Sequence, residues 1–600
     1  MRTFETDVLV VGAGPAGLTS SALLSMLGVS AITLSKHPGT APQPRATHTN
    51  QRTVEILRDL GIEDRLNEVG QPLKTLGNNV LATSFTGLEI FRYPSYGTGP
   101  RLADYAAASP CEPFTAGQHL VEPILLDAAL ERGADIRFSH ELVAIDQSDG
   151  TVLARVRTRD TMEEYLIRAR YAIAADGGRS TVAEQLGFGF EGQTALKHML
   201  NAWIEVDLTE YAAYRPSVIY TILQPGGDSW VGSGSFLCVR PFHDWVLTRE
   251  YDPNGGEPDT SDTALIEFAR TMIGDPNADV RVKGTSKWQV NNVVATEYRR
   301  GRVFLTGDAA HRHPPSGGLG SNTSIQDAYN LAWKLAFVLS VHAGEELLDS
   351  YDEERQPVGK QVVDRAIKNL KNMGAAVEVL GLRRDRSAEE AWTSLNELAS
   401  DAEGAAERRK ALAEAVALQH YRSNAQGVEL GQRYTSGAVV EDGTPFPAPT
   451  RDADLYYHPT THPGAHLPHA WVEHRRRKVS TLDLAGHGRF SLITGIGGKS
   501  WAQAAAAVSA ELGIELPVYV VGYRCEYDDV LGEWEAVREI DDRGALLVRP
   551  DRFIAWRSAG RPESPEAVLR AAVRQALSLD GRTDVTRQLV PATAEGVSAT

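Results

Sequence analysis

The sequence lacks the cysteine patterns that stabilise small secreted folds or hold metal ions. Its three cysteines, Cys111, Cys238 and Cys525, lie far apart and form no Cys-x-x-Cys pair, which argues against a disulfide framework and a zinc site. No apolar run of about 18 residues occurs and the first residues show no signal-peptide pattern, so neither a transmembrane helix nor export is predicted. These absences predict a protein of the reducing cytoplasm.

Positive charge is also scarce. The chain has 61 Lys and Arg residues against 78 Asp and Glu residues, a formal net charge of −17. This balance argues against nucleic acid as a partner, because phosphate binding needs basic patches. The remaining composition, 42% hydrophobic and 23% charged, is ordinary for a globular protein. At 600 residues the chain is too long for one core and should form two or three domains.

Residues 301–335 predict a buried strand, a loop and a helix in close succession. The strand is 303–306, the loop is 307–321 with its prolines and glycines, and helical spacing of apolar residues starts at Ile325. Asp308 can accept hydrogen bonds from sugar-like hydroxyls, while the helix N-terminus suits an anion or an electron-rich ring. The alternative is an ordinary strand-to-helix connection in which Asp308 is a cap.

The start of the chain, residues 7–36, shows a second pattern of this kind. An apolar strand at 8–11 runs into a glycine-rich turn, a helix follows, and a second strand is predicted at 31–34. This order is the context of the dinucleotide-binding fingerprint, whose residues here are Gly12, Gly14, Pro15, Ala16 and Gly17. The acidic residue that usually closes the second strand is replaced by Ser35 and Lys36. The alternative is a plain structural turn.

A third stretch, 171–180, is an apolar run that stops at Asp176 and Gly177, and by itself it predicts only a turn. Together, in this order and at these separations, the three stretches resemble the fingerprints of the single-component FAD-dependent aromatic hydroxylases, whose fold is typified by para-hydroxybenzoate hydroxylase. Further matches are PRATHTNQRTVEILRDLG at 44–61 and QHLVEPILLDAA at 118–129, with HRHPP and GLGSNTS. They narrow the resemblance to the branch of phenol hydroxylase, 2,4-dichlorophenol 6-monooxygenase and 2-hydroxybiphenyl 3-monooxygenase.

The resemblance implies an α/β fold, in which a Rossmann-like FAD-binding domain carries an inserted α+β substrate domain and is followed by a thioredoxin-like domain. The expected bounds are 1–75, 111–185 and 293–385 for the FAD-binding domain, 76–110 and 186–292 for the substrate domain, 386–470 for a helical connector and extended arm, 471–585 for the thioredoxin-like domain, and 586–600 for a frayed tail. No cysteine lies between Thr494 and Trp501, so the thioredoxin-like domain lacks the Cys-x-x-Cys motif and is expected to serve structure or oligomer contacts.

The resemblance also implies FAD as cofactor, NADH or NADPH as co-substrate, O2 and a small aromatic molecule as further partners, and a homodimer or larger homo-oligomer. In the family, reduced flavin and O2 form a C4a-hydroperoxide whose distal oxygen is attacked by an electron-rich ring. Beside the fingerprint, the residues placed at the cofactor are Lys36, Arg45, Gln118, Asp176, Gly177, Asp308, Gly320, Ser321 and Asn322. For Arg45 the alternative is a surface salt bridge. No metal site is predicted, because His311 and His313 lack a carboxylate or third ligand at suitable spacing.

Substrate activation is less clearly marked. The chlorophenol and hydroxybiphenyl relatives carry a histidine directly after the alanine or serine of their PR(A/S) stretch, where it can take the phenol proton. Here Thr47 holds that place and His48 follows it. One step along an extended segment turns a side chain to the opposite face. Two assignments therefore stay open: His48 is the base, or Thr47 contacts the bound ring instead.

Other candidate substrate residues lie in the segment with alternating apolar residues. Arg240, in LCVRPFHDW, matches an arginine of the relatives and would lower the pKa of the phenol through its charge, or it closes a sheet edge. Tyr220, Trp230 and Pro315 are candidate substrate contacts, and Trp245 is a further candidate wall. The alternative for the aromatic residues is a place in the core of the sheet.

The leading functional hypothesis is an NAD(P)H- and FAD-dependent monooxygenase that hydroxylates a phenolic or hydroxylated heteroaromatic ring. The substrate is a small phenol or chlorophenol, or else a hydroxypyridine or a larger biosynthetic phenol. One alternative is a flavin oxidoreductase on the same scaffold that inserts no oxygen. Another is a non-catalytic scaffold stabilised by flavin. Asp308 and the glycine-rich loop argue against the scaffold, since it would need neither, and the oxygen stoichiometry would separate the two enzymatic hypotheses.

Overall fold

The computed structural model describes residues 1–148, 150–226, 233–383 and 385–580. Within them the chain forms two eight-stranded sheets, one seven-stranded sheet and one small sheet of three short strands, together with helices. The predicted α/β fold class is confirmed. Trp230 and the predicted tail at 586–600 lie outside the described residues.

The N-terminal sheet brings the three sequence motifs to one edge. Across it run Arg299–Arg300, Val303–Leu305, Glu164–Ala174, Thr3–Val11, Ala31–Leu34 and Asp135–Arg137, and the pair His140–Ser148 and Thr151–Thr158 extends it from Glu164–Ala174. Thr3–Val11 pairs in parallel with both of its neighbours, and Val303–Leu305 pairs in parallel with Glu164–Ala174. The carboxyl ends of these strands therefore meet at one edge, the edge at which doubly wound sheets bind ligands.

Helices Pro15–Met26, Gln118–Glu131 and Gly320–Leu339 pack on this sheet in one hydrophobic core. The helix Gly320–Leu339 begins where the resemblance placed its start and five residues before the apolar periodicity becomes visible at Ile325. The reason is that Gly317 and Gly318 take positive φ angles of 108° and 68°, which end the loop, while the polar first turn has no apolar periodicity to mark it. The predicted loop also contains the short strand His311–Arg312.

The middle sheet follows the order His311–Arg312, Arg281–Ala295, Phe190–Glu205, Asp244–Tyr251, Gly234–Arg240, Ser217–Ile222, Asn78–Ala82 and Glu89–Pro94. The alternating pattern at 190–290 predicted an antiparallel sheet, and its strands do pair in that way. The pairing of Ser217–Ile222 with Asn78–Ala82, from outside that segment, is parallel. His311–Arg312 belongs to the loop after Val303–Leu305, a strand of the N-terminal sheet, and pairs with Arg281–Ala295 of the middle sheet. The two large sheets are therefore joined through it.

The two faces of the middle sheet differ. Tyr220, Phe236, Leu247 and Ala202 stand opposite one another across four strands and pack in a core with helix Asp262–Ile273. The next row, displaced by one residue, is Ile219, Leu237, Val246 and Trp203. Because side chains alternate along a strand, this second row points away from the helix.

A small sheet lies at the junction, formed by His48–Thr49, Phe114–Thr115 and Gln71–Pro72. Shorter helices nearby are Gln51–Asp59, Glu63–Val69, Leu102–Ala108, Thr181–Gln185 and Thr209–Ala212, with 3₁₀ turns at Leu73–Thr75, Gly99–Arg101, Pro253–Gly255, Gly307–Ala309 and Glu345–Leu348. The long helix Asp349–Leu380 then leads to the connector helices Ala388–Leu398, Ala405–Ala417, His420–Ser423 and Gln426–Leu430.

The C-terminal sheet has the order Arg477–Ser480, Trp471–His474, Tyr527–Asp528, Val518–Gly522, Ser491–Thr494, Ala545–Val548 and Ile554–Ser558. Its helical elements are Thr481–Leu484, Lys499–Leu512, Glu533–Val537 and Pro565–Ala576. Trp501 and Leu492 share a hydrophobic cluster with Trp333 of the N-terminal core, so this sheet packs directly on that core. Among the helices in the described ranges, none is both long and apolar enough to cross a membrane.

Candidate cofactor and substrate site

The fingerprint turn packs so tightly that only glycine fits at two of its positions. Gly12 has a φ of 110°, and a Cβ there would overlap the carbonyl oxygen of Ala175, next to Asp176. A Cβ on Gly17 would overlap the carbonyl oxygen of Gly12. Helix Pro15–Met26 therefore approaches the strand end closely, and the turn at Gly12 contacts the turn at Asp176.

The turn at Gly307 packs against the same helix. Gly307 has a φ of 59°, and a Cβ there would lie 2.8 Å from Ser324 Oγ and 3.3 Å from the Cβ of Ala16. The backbone N–H of Gly307 donates to Asp327 at 3.0 Å. All three motifs thus line one cleft at the edge of the N-terminal sheet.

A buried network of charged side chains fixes the turn at Gly307. The Asp327 carboxylate also lies 2.9 Å from His311 Nε2 and accepts from Arg355 Nε at 2.8 Å, and all three side chains have no solvent exposure. Burial pushes the pKa of Asp327 upward, but the charges of Arg355 and His311 outweigh burial and leave this pKa below its ordinary value. Asp327 therefore stays ionised and holds Gly307 in place.

Two helix N-termini open into the cleft without a side-chain cap. The first helix follows Gly14 and the helix Gly320–Leu339 follows Leu319, and neither N-cap residue makes a capping hydrogen bond. Their first N–H groups and the positive end of each helix dipole are available to an anion or to an electron-rich ring.

Glu122 lies beside the first of these N-termini, where a Cβ on Gly14 would be 3.9 Å from Glu122 Oε1. Its carboxylate accepts from Gln118 and from the backbone N–H of Ala41, each at 2.5 Å, and burial raises the pKa of Glu122. Sequence analysis missed Glu122, although its position four residues after Gln118 on one helix places the two on the same face.

Two carboxyl groups flank the cleft. Asp308 is solvent-exposed at the strand end, yet enough protein surrounds it that desolvation raises its pKa, against the opposing charges of His311, Arg312 and Arg45. Asp176 accepts from the backbone N–H of Val182 at 3.2 Å, its Oδ1 is buried without a partner, and burial raises its pKa. Exposed or unpartnered carboxyl oxygens at this edge suit the hydroxyl groups of a sugar-like chain.

The remaining predicted cofactor residues sit around this edge. Lys36 and Arg45 are exposed, and Arg45 forms no ion pair within the described ranges, so the salt-bridge alternative is not observed. Gly177 has a φ of 80°, and Gly320 lies next to His313, whose pKa burial lowers to about 4. Ser321 is half-buried in the first turn of its helix. Among the residues that the structure describes, no cluster of three or more metal-ligating side chains occurs.

Asn322 ties the second helix N-terminus to the segment that carries His48. Its side-chain amide donates to the carbonyl oxygens of His48 at 2.9 Å and Gly318 at 2.6 Å, and its Oδ1 accepts from the backbone N–H of Asn50 at 3.0 Å. A Cβ on Gly318, which has a φ of 68°, would lie 2.8 Å from the His48 side chain. His48 is therefore packed directly beneath the glycine loop.

His48 faces the middle sheet. It stands opposite Thr115 in the small sheet, and opposite residues share a face. Thr115 Oγ1 donates to the carbonyl oxygen of Cys238 in the middle sheet at 3.4 Å. The ring of Tyr96 lies 4.3 Å from the ring of His48. Alternation then turns Thr47, whose carbonyl accepts from Ala116, to the other face.

The structure gives none of the other candidate substrate residues that it describes a contact with His48, although Pro315 belongs to the loop that packs on it. Tyr220 and Trp245 lie in the helix-facing core of the middle sheet, where the Tyr220 hydroxyl donates to the carbonyl of Arg215 at 2.8 Å, and this placement favours the core interpretation. Arg240 is 60% exposed in an ion pair with Asp244 at 2.8 Å, which favours its role at a sheet edge. Pro315 is exposed, and its carbonyl accepts from Gly318 in the glycine loop.

Sequence analysis also missed the residues on the opposite face of the middle sheet. Trp203, Leu237 and Val246 form the row that points away from the helix. The alternation of side chains along the strand Phe190–Glu205 could have identified Trp203. Leu200, Ala202 and Ile204 are core residues at even positions, so Trp203, at an odd position, points to the other face. Glu429, from the connector helix Gln426–Leu430, lies 4.0 Å from His48 and carried no local signal.

Comparison with known proteins agrees with this geometry. A family model described as an FAD binding domain matches residues 5–366, and one described as the C-terminal domain of aromatic-ring hydroxylases matches residues 460–578. The chain is 45% identical to 2,4-dichlorophenol 6-monooxygenase of Delftia acidovorans, over 96% of this chain and 98% of that protein. It is 42% identical to phenol 2-monooxygenase of Pseudomonas sp. (strain EST1001), over 94% and 92%.

A solved structure is also similar. The flavin-dependent monooxygenase PieE, in complex with FAD and substrate, superposes with a TM-score of 0.94 at 42% identity, over 96% of this chain and all of that chain. The glycine-lined cleft, the uncapped helix N-termini and the exposed Asp308 fit FAD, and the predictions of FAD as cofactor and NAD(P)H as co-substrate are confirmed. This chain belongs to the FAD-dependent aromatic-ring hydroxylases, monooxygenases that use NAD(P)H.

Proposed function

We propose that this chain hydroxylates a phenolic ring that binds between the N-terminal and middle sheets. The position of His48 carries the proposal, because Asn322 holds it at the helix N-terminus by the glycine loop while it faces the middle sheet. Bound FAD supplies the chemistry that activates O2 with electrons from NAD(P)H. The protein holds FAD, orients the ring carbon, excludes water and favours the phenolate.

The cofactor residues divide by their place in the cleft. We assign the pyrophosphate to the uncapped N-terminus after Gly14, the ribityl hydroxyls to Asp308, and the pyrimidine edge to the N-terminus at Gly320. The supporting residues are Gly12, Pro15, Ala16, Gly17, Lys36, Arg45, Gln118, Asp176, Gly177, Ser321 and Asn322. Glu122 joins them, since it fixes Gln118 and the segment at Ala41.

On the substrate side we assign His48 to the phenolic hydroxyl. The sheet face that carries Trp203, Leu237 and Val246 supplies an apolar wall for the ring. The side chain of Thr47 points to the face opposite that of His48, so we assign it to the cofactor side of the segment.

The substrate class follows from the relatives. A one-ring phenol, chlorinated or not, is favoured because two proteins that are 42% and 45% identical to this chain are named for phenol and 2,4-dichlorophenol. A hydroxypyridine or a larger biosynthetic phenol is the second candidate. It is favoured by the one-residue displacement of His48 from the position of the histidine in the chlorophenol relatives, which changes the approach to the hydroxyl.

The test is a turnover assay with a substrate panel. Purified, FAD-loaded protein is mixed with NADH or NADPH in air, with phenol, chlorophenols, hydroxypyridines and polycyclic phenols in separate reactions. Nicotinamide oxidation, hydroxylated product and peroxide are measured together. We expect a phenol to accelerate oxidation and to appear as hydroxylated product. Oxidation that no ring accelerates, with all electrons recovered as peroxide, would instead support the oxidoreductase without oxygen insertion.

We also propose that the protein works in the cytoplasm, where NAD(P)H is produced, as a homodimer or larger homo-oligomer. Ile496, Tyr523 and Leu531 of the C-terminal domain are 55%, 73% and 71% exposed, and we assign them to the contact between chains. Light scattering should give at least twice the mass of one chain. Replacing Tyr523 and Leu531 by glutamate should reduce it to one chain.

A further inference from the structure

Glu429 is a nearly buried carboxylate without a hydrogen-bond donor. It is 5% exposed, and within the described ranges no N–H or O–H group lies within hydrogen-bond distance of its carboxylate oxygens. The described ion-pair contact of Glu429 is with His48, with 4.0 Å between Glu429 Oε1 and His48 Nε2. Removing a carboxylate from water without a partner is costly, so this side chain is arranged for a donor that comes from outside the chain.

His48 points one defined ring nitrogen at Glu429. Its Nδ1 is fully buried and has no hydrogen-bond partner, whereas Nε2 is the atom on the Glu429 side. An N–H buried without an acceptor is rarer in proteins than an acceptor without a donor. The proton of the neutral ring is therefore on Nε2, and His48 presents a donor to the gap.

The gap between the two side chains has the width of one bridging oxygen. A separation of 4.0 Å is too long for a direct hydrogen bond. A single oxygen about 2.8 Å from both atoms closes it, with an angle of about 90° at that oxygen. A hydroxyl group satisfies both sides at once, since it donates its hydrogen to Glu429 and accepts from His48 Nε2.

An aromatic ring and the glycine loop border the His48 side of the gap. The Tyr96 ring lies 4.3 Å from the His48 ring, and Gly318 packs against Cβ and Cδ2 of His48. The connector holds Tyr96 in place, because the Tyr96 N–H donates to the carbonyl of Ser423 at 2.8 Å and the next N–H donates to Asn424 Oδ1 at 3.1 Å. The connector is thus built into the wall of the site.

We propose that Glu429 is a catalytic residue, the acceptor of the substrate's phenolic proton, and that His48 donates to the same oxygen. This assignment rests on the proposed function. The O–H bond of the phenol breaks as its proton passes to Glu429 Oε1, and the bonding electron pair stays on the phenolate oxygen. His48 Nε2–H stabilises that oxygen, and the ring gains electron density at its ortho and para carbons, where oxygen is inserted.

Few other ionisable groups act on the gap. Tyr96 and Tyr105 face Glu429, and burial raises the pKa of both tyrosines, so that they stay neutral in the ordinary range of pH. Arg422 and Arg101 lie further out, where they contact Met373 and Asp104. Glu429 and His48 are therefore the ionisable groups at the gap itself.

The first experiment reads ionisation of a bound phenol directly. 4-Nitrophenol is titrated from pH 5 to 10 in complex with the oxidised, FAD-loaded protein, and the nitrophenolate absorbance is followed against the ligand-free enzyme. Compared with wild type, Glu429→Gln should lower the pH of ionisation by at least about one unit, since the amide keeps the shape but removes the negative charge that opposes a second anion beside it. Exposed Glu414, on the same connector, provides the control Glu414→Gln, which should match wild type.

The second experiment reads turnover against substrate acidity. With phenol at pH 7, Glu429→Gln should lose about 100-fold in kcat and recover with rising pH, whereas the loss with 4-nitrophenol should be under about fivefold, because that phenol ionises without help. Glu429→Asp should regain part of the loss. His48→Gln, which keeps a donor, should be much milder than His48→Phe.

The outcomes separate the two proposals. If His48→Gln shows the loss that depends on pH and substrate acidity while Glu429→Gln stays within about threefold of wild type, His48 is the base and the assignment of Glu429 is overturned. An unchanged nitrophenol titration in Glu429→Gln also overturns it. If wild type hydroxylates no phenol, the proposed function fails, and the titration still decides the role of Glu429. FAD content and thermal unfolding are measured for each variant, and Glu429→Ala replaces Glu429→Gln if that variant does not retain FAD.

Discussion

The side-chain amide of Asn322 donates to the backbone carbonyl of His48 at 2.9 Å. This bond joins the first turn of the helix Gly320–Leu339, which lies at the cofactor cleft, to the strand that faces the substrate side. One residue thus fixes the distance between the two halves of the site. Its position was predicted from the resemblance, but its partners became visible only in the structure.

Replacing Asn322 by alanine removes hydrogen bonds to His48, Gly318 and Asn50, all of which are buried or nearly so. We expect the free energy of unfolding to fall by about 2 to 3 kcal/mol. Because the His48 strand is no longer fixed against the cleft, kcat should fall about 10- to 100-fold. Urea unfolding and steady-state kinetics measure the two effects. Asn396→Ala, at an exposed position on a connector helix, should change neither.

Two glycines of the fingerprint should respond differently to alanine. At Gly12 the added Cβ overlaps the carbonyl of Ala175 and the φ angle is positive, so Gly12→Ala should fail to fold or fail to retain FAD. At Gly14 the nearest atom is 3.9 Å away and φ is −87°, so the chain should fold normally. Gly14→Ala should weaken FAD binding at least about tenfold, because the methyl group enters the space assigned to the pyrophosphate.

FAD binding to the Gly12 and Gly14 variants is measured by flavin fluorescence, and folding is measured by circular dichroism. Gly374→Ala, at a helical position with open space around the added Cβ, is the control and should be slightly more stable than wild type. Normal FAD affinity in Gly14→Ala would contradict the assigned pyrophosphate position.

Glu55 should make stability depend on pH in acid. It is fully buried between Arg52 at 2.9 Å and His466 at 3.2 Å, and it accepts from Ser109 at 2.7 Å. Burial alone would raise the pKa of Glu55, but these partners lower it from 4.5 to about 2. Burial also lowers the pKa of His466, so at neutral pH Arg52 and Ser109 hold the carboxylate, and His466 adds its charge only in acid.

The sign of the effect follows from the lowered pKa. Ionised Glu55 stabilises the folded state above pH 4.5, and this contribution disappears as the pH falls towards 2. Glu55→Gln should therefore lower the free energy of unfolding by about 3 kcal/mol at pH 6, with a difference that shrinks between pH 4.5 and 2. Urea unfolding at several pH values measures it, and Glu68→Gln, at an exposed position, should show no such difference. A constant difference would exclude linkage to Glu55.

The cofactor cleft could be predicted because its signals are local. Gly12, Gly17 and Gly307 occupy positions where a Cβ would collide with the backbone or with a neighbouring helix, so the sequence there has little freedom. Strand pairing in parallel then brings their turns to one edge. Apolar periodicity does not record the start of the helix at Gly320, because the first turn is polar and is defined by glycine dihedral angles, and only the resemblance placed Gly320 at the helix start.

The substrate side could be predicted only in part. The aromatic residues Tyr220 and Trp245 were proposed as substrate contacts from residue type alone. Their side chains lie on the helix-facing side of the sheet, and assigning that face requires knowing how the neighbouring strands are paired. Glu429 comes from a connector that is distant in sequence from His48. No local pattern links them, since they meet only after the connector folds back onto the loop at Tyr96.

Arg549 should be essential for docking the C-terminal sheet on the N-terminal core. Its guanidinium donates to Glu354 at 2.6 and 2.8 Å and to Asp551 at 2.5 Å, and Lys334 donates to the same Glu354 at 2.8 Å, all without solvent exposure beyond 1%. Glu354 belongs to the long helix Asp349–Leu380, whereas Arg549 follows the strand Ala545–Val548.

Arg549→Met leaves two carboxylates buried with one lysine. We expect the free energy of unfolding to fall by about 3 to 5 kcal/mol, because removing one partner of a buried network leaves charge without compensation. Urea unfolding should show it, and limited proteolysis should cut faster in residues 435–470, which lead to the C-terminal sheet. Arg561→Met, at an exposed position, is the control. Adding Glu354→Gln to Arg549→Met should recover part of the loss, since it removes the uncompensated charge, and simple additivity of the two losses would show that the pair does not interact.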